Sequence, residues 1–311
     1  MTRLESVLAK YHWAKKHVDN FDAAVADFRR TNPHAIRKKC NLEAGSVTYY
    51  VESVPDIDPE LAMRFGDAVH NLRSTLDHLA RALVEATGAP FDPKNTSFPI
   101  CNFAKDYKSR ARASVVGIGK TSREILDRIE PYKGGTSHHL WQLNELDVID
   151  KHRMLVAVAT VPIGHSMTPI EKAAFKAKKP IIGPTTFAIR QYIFAASNPG
   201  VIPLQAGQEL GTFPVSESDN DVGFAFDVAI NEFEVVDGLV PASYFLMQIK
   251  SEVGTIIGNF APYLLTRLLA LSRRHRVWRI GCYYPSGYHC AQRAVTDPPI
   301  LPNPVQPFTD R

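Results

Sequence analysis

The strongest constraint in this sequence is an apolar stripe between residues 59 and 85. Leu61, Phe65, Ala68, Leu72, Leu76, Leu79 and Leu83 recur at spacings of three and four, the period of one face of an α-helix. A helix of this length with one continuous stripe must bury it against other elements, so it is expected at the centre of a packed core. The opposite face is unusual in composition. Asp67, Asn71, Ser74 and His78 fall together there, with His70, Asp77 and Arg81 beside them and Arg73 on the flank. Solvated helix faces are ordinarily built from Glu and Lys, whereas Asp, Asn, Ser and His each disfavour helix by roughly a few tenths of a kcal/mol. Such a face either packs against neighbouring helices through hydrogen bonds or carries chemistry.

The flanking sequence supplies partners for the stripe. Residues 4–28 repeat apolar positions (Leu4, Val7, Leu8, Tyr11, Ala14, Val18, Phe21, Val25, Phe28) at helical spacing and stop at Asn32 and Pro33. Residues 46–54, SVTYYVESV, have the β-branched and aromatic content of a strand. The central helix ends at Gly88 and Pro90, and residues 92–119 read as a loop with one short helix starting near Asn102. Thr121 and Glu124 in TSRE match a capping box, with Ile125, Leu126 and Ile129 facing inward before Pro131. Ser137 can cap a further helix over residues 137–152.

From residue 154 the pattern changes to strands: MLVAVATV (154–161), TTFAIRQYIFA (185–195) and VGFAFDVAI (222–230). In the last of these Val222, Phe224, Phe226, Val228 and Ile230 form a core face and Gly223, Ala225, Asp227 and Ala229 a small one. Pro241 opens a long helix to about His275, with a kink expected at Pro262. The expected class is therefore α+β, a helical bundle core with a β-rich insert before a long C-terminal helix. Residues 1–152 are the helical region, 153–236 the insert, 237–279 the long helix that completes the core, and 280–311 an irregular proline-rich tail.

Several functional classes are disfavoured. There is no GxSxG, GxGxxG or GxxxxGK[ST] element, and GIGKTS at residues 117–122 lacks the first glycine at the required spacing. No apolar run approaches the roughly 20 residues of a membrane span, and the first residues lack a signal-peptide pattern, so a cytoplasmic protein without membrane partners is expected. The four cysteines form no CxxC pair. Net charge is +4, but residues 261–311 hold seven arginines against two aspartates, and smaller basic clusters occur at residues 37–39, 108–112, 151–153 and 176–179. Such clusters permit an acidic partner, RNA among them.

Arg73 to His78, RSTLDH, has an Arg-x4-His spacing and resembles the signature of the HEPN superfamily of small helical proteins. In members that cleave RNA, the arginine is thought to hold the scissile phosphate and the histidine to assist proton transfer around the 2′-hydroxyl. The resemblance implies these roles for Arg73 and His78, with Asn71 or Asp77 as supporting polar groups, and it implies a metal-independent endoribonuclease, or an RNA-binding protein, in a toxin or defence setting. Guanidinium binds phosphate bidentately and imidazole titrates near neutral pH, which suits that division. Five helical positions turn by about 140° net. The two side chains therefore converge through a long Arg reach, a helix irregularity, or a homodimer groove to which each chain gives one residue. HNLRSTLDHL, IEPYKGG and LDVIDKHRML together also resemble a widespread bacterial protein group, and that resemblance implies no activity.

Two alternatives follow from the residues themselves. In one the protein is a non-catalytic binding or scaffold protein whose polar helix face is buried. In the other, Asp67, His70, Asp77 and His78 join Asp150 and His152 of the helix carrying Glu145 and Asp147 to form a metal site. The two helices lack the paired ExxH repeats of a di-iron site, and Cys282, His289 and Cys290 supply only a partial set, so no metal or cofactor is expected. For residues 150–153 a helix C-terminus rich in favourable cations, with Asp150 ion-paired to Arg73 or Arg81, is the simpler expectation.

Overall fold

In the computed structural model, Asp58 starts the central helix by accepting a hydrogen bond from the Glu60 amide at 2.8 Å, and Pro59 occupies the first turn, where no amide is needed. The structure describes residues 1–31, 34–90, 92–152, 158–165, 203–214, 224–232, 234–236 and 240–265. Six helices lie among them: α1 (Arg3–Thr31), α2 (Pro59–Ala86, the central helix), α3 (Ala104–Ser114), α4 (Lys120–Ile129), α5 (His138–His152) and α6 (Ala242–Leu264). The strands are β1 (Ala35–Asn41), β2 (Ser46–Ser53), β3 (Val158–His165), β4 (Glu209–Pro214), β5 (Phe224–Ile230) and β6 (Val240–Pro241). The α+β class is as expected.

Every member of the α2 stripe is buried, and the helix is enclosed by α1, α5 and α6. Phe65 meets Phe21 of α1 edge-on with ring centroids 5.5 Å apart, and on its other side lies 6.4 Å from Phe245 of α6. These aromatics and the leucines of α2 and α5 form the main core. Gly66 allows α5 to approach closely: a Cβ there would lie 2.2 Å from the Asp150 carboxylate. A similar approach joins α1 to α6, where Tyr11 donates to the Lys250 carbonyl at 2.8 Å over Gly254.

The strands form two antiparallel three-stranded sheets, β1-β2-β4 and β3-β5-β6. Val47 and Tyr49 of β2 make a small core with Ile36, Leu210 and Phe224.

β1, AIRKKCN, lacks apolar alternation because its charged residues point to solvent along a hairpin edge. Three sequence expectations need correction. The capping box at residues 121–124 does not form, because α4 starts two residues earlier with Gly119 as its N-cap, leaving Thr121 inside the first turn. Asp227, placed on the small face of β5, is 3 % exposed; it lies 3.6 Å from Arg29 and accepts from the Val228 amide. Among the described residues the expected ion pair of Asp150 with Arg73 or Arg81 is not found: Arg73 is engaged with Asp77 and Arg81 with Glu85 of their own helix. The strand expected at residues 185–195, the helix beyond residue 265, the proline-rich tail and the set Cys282, His289 and Cys290 lie outside the described residues.

Candidate functional site

The polar face of α2 is divided between two neighbours. On one flank Asn71 is buried. Its amide donates to the Asp67 carbonyl one turn back, and its Oδ1 accepts from Lys10 of α1 at 2.8 Å. On the other flank Arg73 and His70 turn toward α5.

Arg73 is 7 % exposed. Its Nε donates to Asn144 Oδ1 at 3.0 Å, Nη1 donates to Asp77 one turn along α2, and Nη2 reaches the Phe98 carbonyl at 3.4 Å. Asp77 in turn accepts from the Phe98 amide at 2.9 Å. Both backbone groups of Phe98 are thus held by the i, i+4 pair Arg73 and Asp77, as a neighbouring strand would hold them, while the Phe98 ring is buried in the main core. The clamp ties three distant parts of the chain together.

His70 Nδ1 lies 2.9 Å from Asp147 Oδ1, and Lys151 donates to the other oxygen of Asp147 at 2.6 Å. Asp147 is buried, and the Lys151 ammonium supplies its counter-charge. Asp150, next to it over Gly66, has its pKa pushed up by burial, then by the negative charges of Asp147 and Asp67, with His70 and Lys151 partly opposing. Asp67 and His152 are exposed.

His78 is exposed on α2. Loss of water around its ring lowers its pKa, Lys10 and Arg81 lower it further, and Asp77 partly opposes. The lowered pKa favours the neutral imidazole. No hydrogen bond or ion pair joins His78 to Arg73 among the described residues, and the two side chains answer to different neighbours.

The clamp lies beside a larger feature, which it meets at Asn144. The segment it holds, with α3 and the start of the 90s loop, encloses an open cleft of about 1320 Å³ that reaches Asn144 and Glu145 of α5. The lining is mostly polar: Lys94 and Arg110 supply cations, Asp92, Asp106 and Glu145 anions, and Asn95, Ser97 and Asn102 neutral donors and acceptors. Exposed Phe103 stands at the edge with the Lys105 ammonium 5.3 Å from its ring centroid. Asn144 therefore touches both the clamp and the cleft. Cys101 lines the cleft with its thiol pKa raised by burial, so it is a protonated thiol.

The sequence had suggested Arg73, His78, Asn71, Asp77, His70, Asp67, Asp150 and His152. The structure brings Arg73 together with Asp77, joins His70 to Asp147, and places Asp67 and Asp147 close enough to Asp150 for their charges to raise its pKa. It leaves His78 beside Lys10 and His152 apart from both groups. Among the described residues no group of three or more His, Cys, Asp or Glu side chains is arranged to hold a metal ion. Lys10, Asn144 and the Phe98 backbone were missed, since nothing local in the sequence couples them to α2. No helix among the described residues is long and apolar enough to cross a membrane. No protein-family model, curated protein or solved structure matches the chain.

Proposed function

We propose that this chain is a non-catalytic, cytoplasmic binding protein in which the Arg73 and Asp77 motif is a structural clamp and the cleft beside it receives a polar ligand. The observation that carries this reading is the engagement of Arg73. A guanidinium that is nearly buried and already donates to Asn144, Asp77 and the Phe98 carbonyl can bind a phosphate only by giving up bonds that join α2 to α5 and to the segment around Phe98. The mixed lining of the cleft suits a hydroxyl- or amide-bearing molecule, because it offers donors and acceptors without a dominant charge.

A second reading, RNA cleavage, is favoured by His78. A neutral, exposed imidazole beside the Lys10 ammonium is a base next to a cation, and a two-fold dimer could bring an arginine from another chain to it. The test is incubation of a mixed RNA pool, in EDTA, with wild type and with His78→Ala at matched thermal stability. The binding reading predicts intact RNA with both proteins. Cleavage by the wild type alone would overturn it in favour of the second reading.

A further inference from the structure

Residues 10–17, KYHWAKKH, carry three lysines, two histidines and a tryptophan with no acidic residue. In α1 they surround a large exposed aromatic. Trp13 is 52 % exposed, His17 stands edge-on to it with ring centroids 5.1 Å apart, and the Lys16 ammonium lies 5.6 Å from the ring centroid. Folding alone gives no reason to leave an indole in water, where it forgoes the burial that stabilises the aromatic residues of the core.

Lys10 continues the same surface toward α2. It is half-buried, burial lowers its pKa, and among the described residues its bonded partner is the neutral Asn71 amide with no carboxylate in an ion pair. A part-desolvated ammonium without a counter-charge favours an anion brought from outside. His78 of α2 lies close enough to Lys10 to feel its charge, which extends the surface across the two helices. Asn71 and Arg73 are two positions apart, about 200° around α2, so this surface is on the opposite flank from the clamp.

From this juxtaposition of an exposed indole with unneutralised cations we infer that the α1 surface around Lys10, Trp13 and Lys16 binds single-stranded nucleic acid, Trp13 stacking on a base and the lysines holding the adjoining phosphates. A single strand is the fitting occupant because its bases are free to stack, whereas a duplex offers only phosphates to the lysines. The inference goes beyond the binding reading above by naming a macromolecular partner on a different surface, and it holds whether or not the bound strand is cleaved.

The test is fluorescence anisotropy of a labelled 20-nucleotide oligouridine, in EDTA at several salt concentrations, with the full chain and with Trp13→Ala and Lys16→Gln. A hairpin duplex and phosphatidylserine vesicles serve as competing probes. The expected result is binding to the single strand that weakens with salt, about five- to a hundred-fold weaker for Trp13→Ala, the range of one base–aromatic stack. Lys16→Gln should reduce the slope of log affinity against log salt by about 0.7. Circular dichroism melting should leave both variants at the wild-type midpoint, since both side chains are exposed. The inference is overturned by no binding to the single strand, by equal binding to the duplex, or by binding to the vesicles alone. Affinity unchanged in Trp13→Ala also overturns it, as when the arginines of residues 267–293 carry the binding. Cleaved probe with Trp13-dependent binding would instead overturn the non-catalytic reading and leave the inferred surface standing.

Discussion

Replacing Arg73 with alanine removes the guanidinium that joins α2, α5 and the segment around Phe98. Three acceptors lose a donor: the Asn144 amide oxygen, the Asp77 carboxylate and the Phe98 carbonyl. Breaking a buried ion pair from one side costs about 3–5 kcal/mol, because the partner charge stays behind. The Asp77 side chain is 37 % exposed and can recover some water, which moves the expected loss to the lower part of that range. The Phe98 carbonyl still accepts from the Ile100 amide at 2.9 Å, so losing the longer bond from Arg73 adds little. A total near 3–4 kcal/mol follows. For a domain of this size it lowers the melting temperature by about 6–16 °C. Thermal and urea unfolding measure the loss, and hydrogen exchange at the Phe98 amide reports the clamp itself. Arg73→Lys keeps a cation beside Asp77 but cannot span to Asn144 and Phe98, so it should fall between wild type and alanine. A melting temperature for Arg73→Ala within about 2 °C of wild type, with Phe98 still protected, would refute the clamp.

Three further perturbations probe the same helix. Asp150 has a raised pKa in the folded state, so its ionised form is penalised by folding, and the penalty is relieved as pH falls through the folded pKa toward the ordinary aspartate value of about 3.9. Asp150→Asn should therefore melt higher than wild type at pH 7, with the difference closing near pH 4; a lower midpoint at pH 7 would contradict this. Gly66→Ala sets about 1 kcal/mol of helix propensity against about 1–3 kcal/mol for crowding the Asp150 carboxylate. It should be neutral or destabilising alone but stabilising in an Asp150→Ala background, and additive effects in the double-mutant cycle would sink the explanation. In Gly254→Ala the new Cβ would meet the Tyr11 hydroxyl at 2.5 Å and displace its bond to Lys250, so the midpoint should fall, while Tyr11→Phe should make the same glycine substitution less harmful.

The helical frame was readable because it is local. Leu61, Phe65, Leu72, Leu76, Leu79 and Leu83 announce one buried face by spacing alone, and all of them lie in the core. β1 escaped because an exposed hairpin edge needs no apolar alternation, and Arg37, Lys38 and Lys39 hide its β character. Asp227 escaped for the opposite reason: its burial depends on Arg29, nearly two hundred residues earlier in the chain. The candidate site was legible only as a list of side chains on α2. The partner of Asn71 is a lysine on α1, and those of Arg73 include an amide on α5 and a backbone carbonyl in a loop. Residue type along one helix carries no information about such pairings. The same Arg-x4-His spacing is therefore compatible with a phosphate site and with a clamp, and only the surroundings distinguish them.

The measurement that bears most directly on this account is a paired assay of Asp77→Asn and His78→Ala for thermal midpoint and for RNA integrity in EDTA. Asp77→Asn keeps shape but removes the charge that holds Arg73 and weakens the acceptor for the Phe98 amide. The account predicts a lowered midpoint for Asp77→Asn, a midpoint near wild type for exposed His78→Ala, and intact RNA with both variants and with the wild type. Unchanged stability in Asp77→Asn, together with RNA cleavage by the wild type that either variant abolishes, would contradict it.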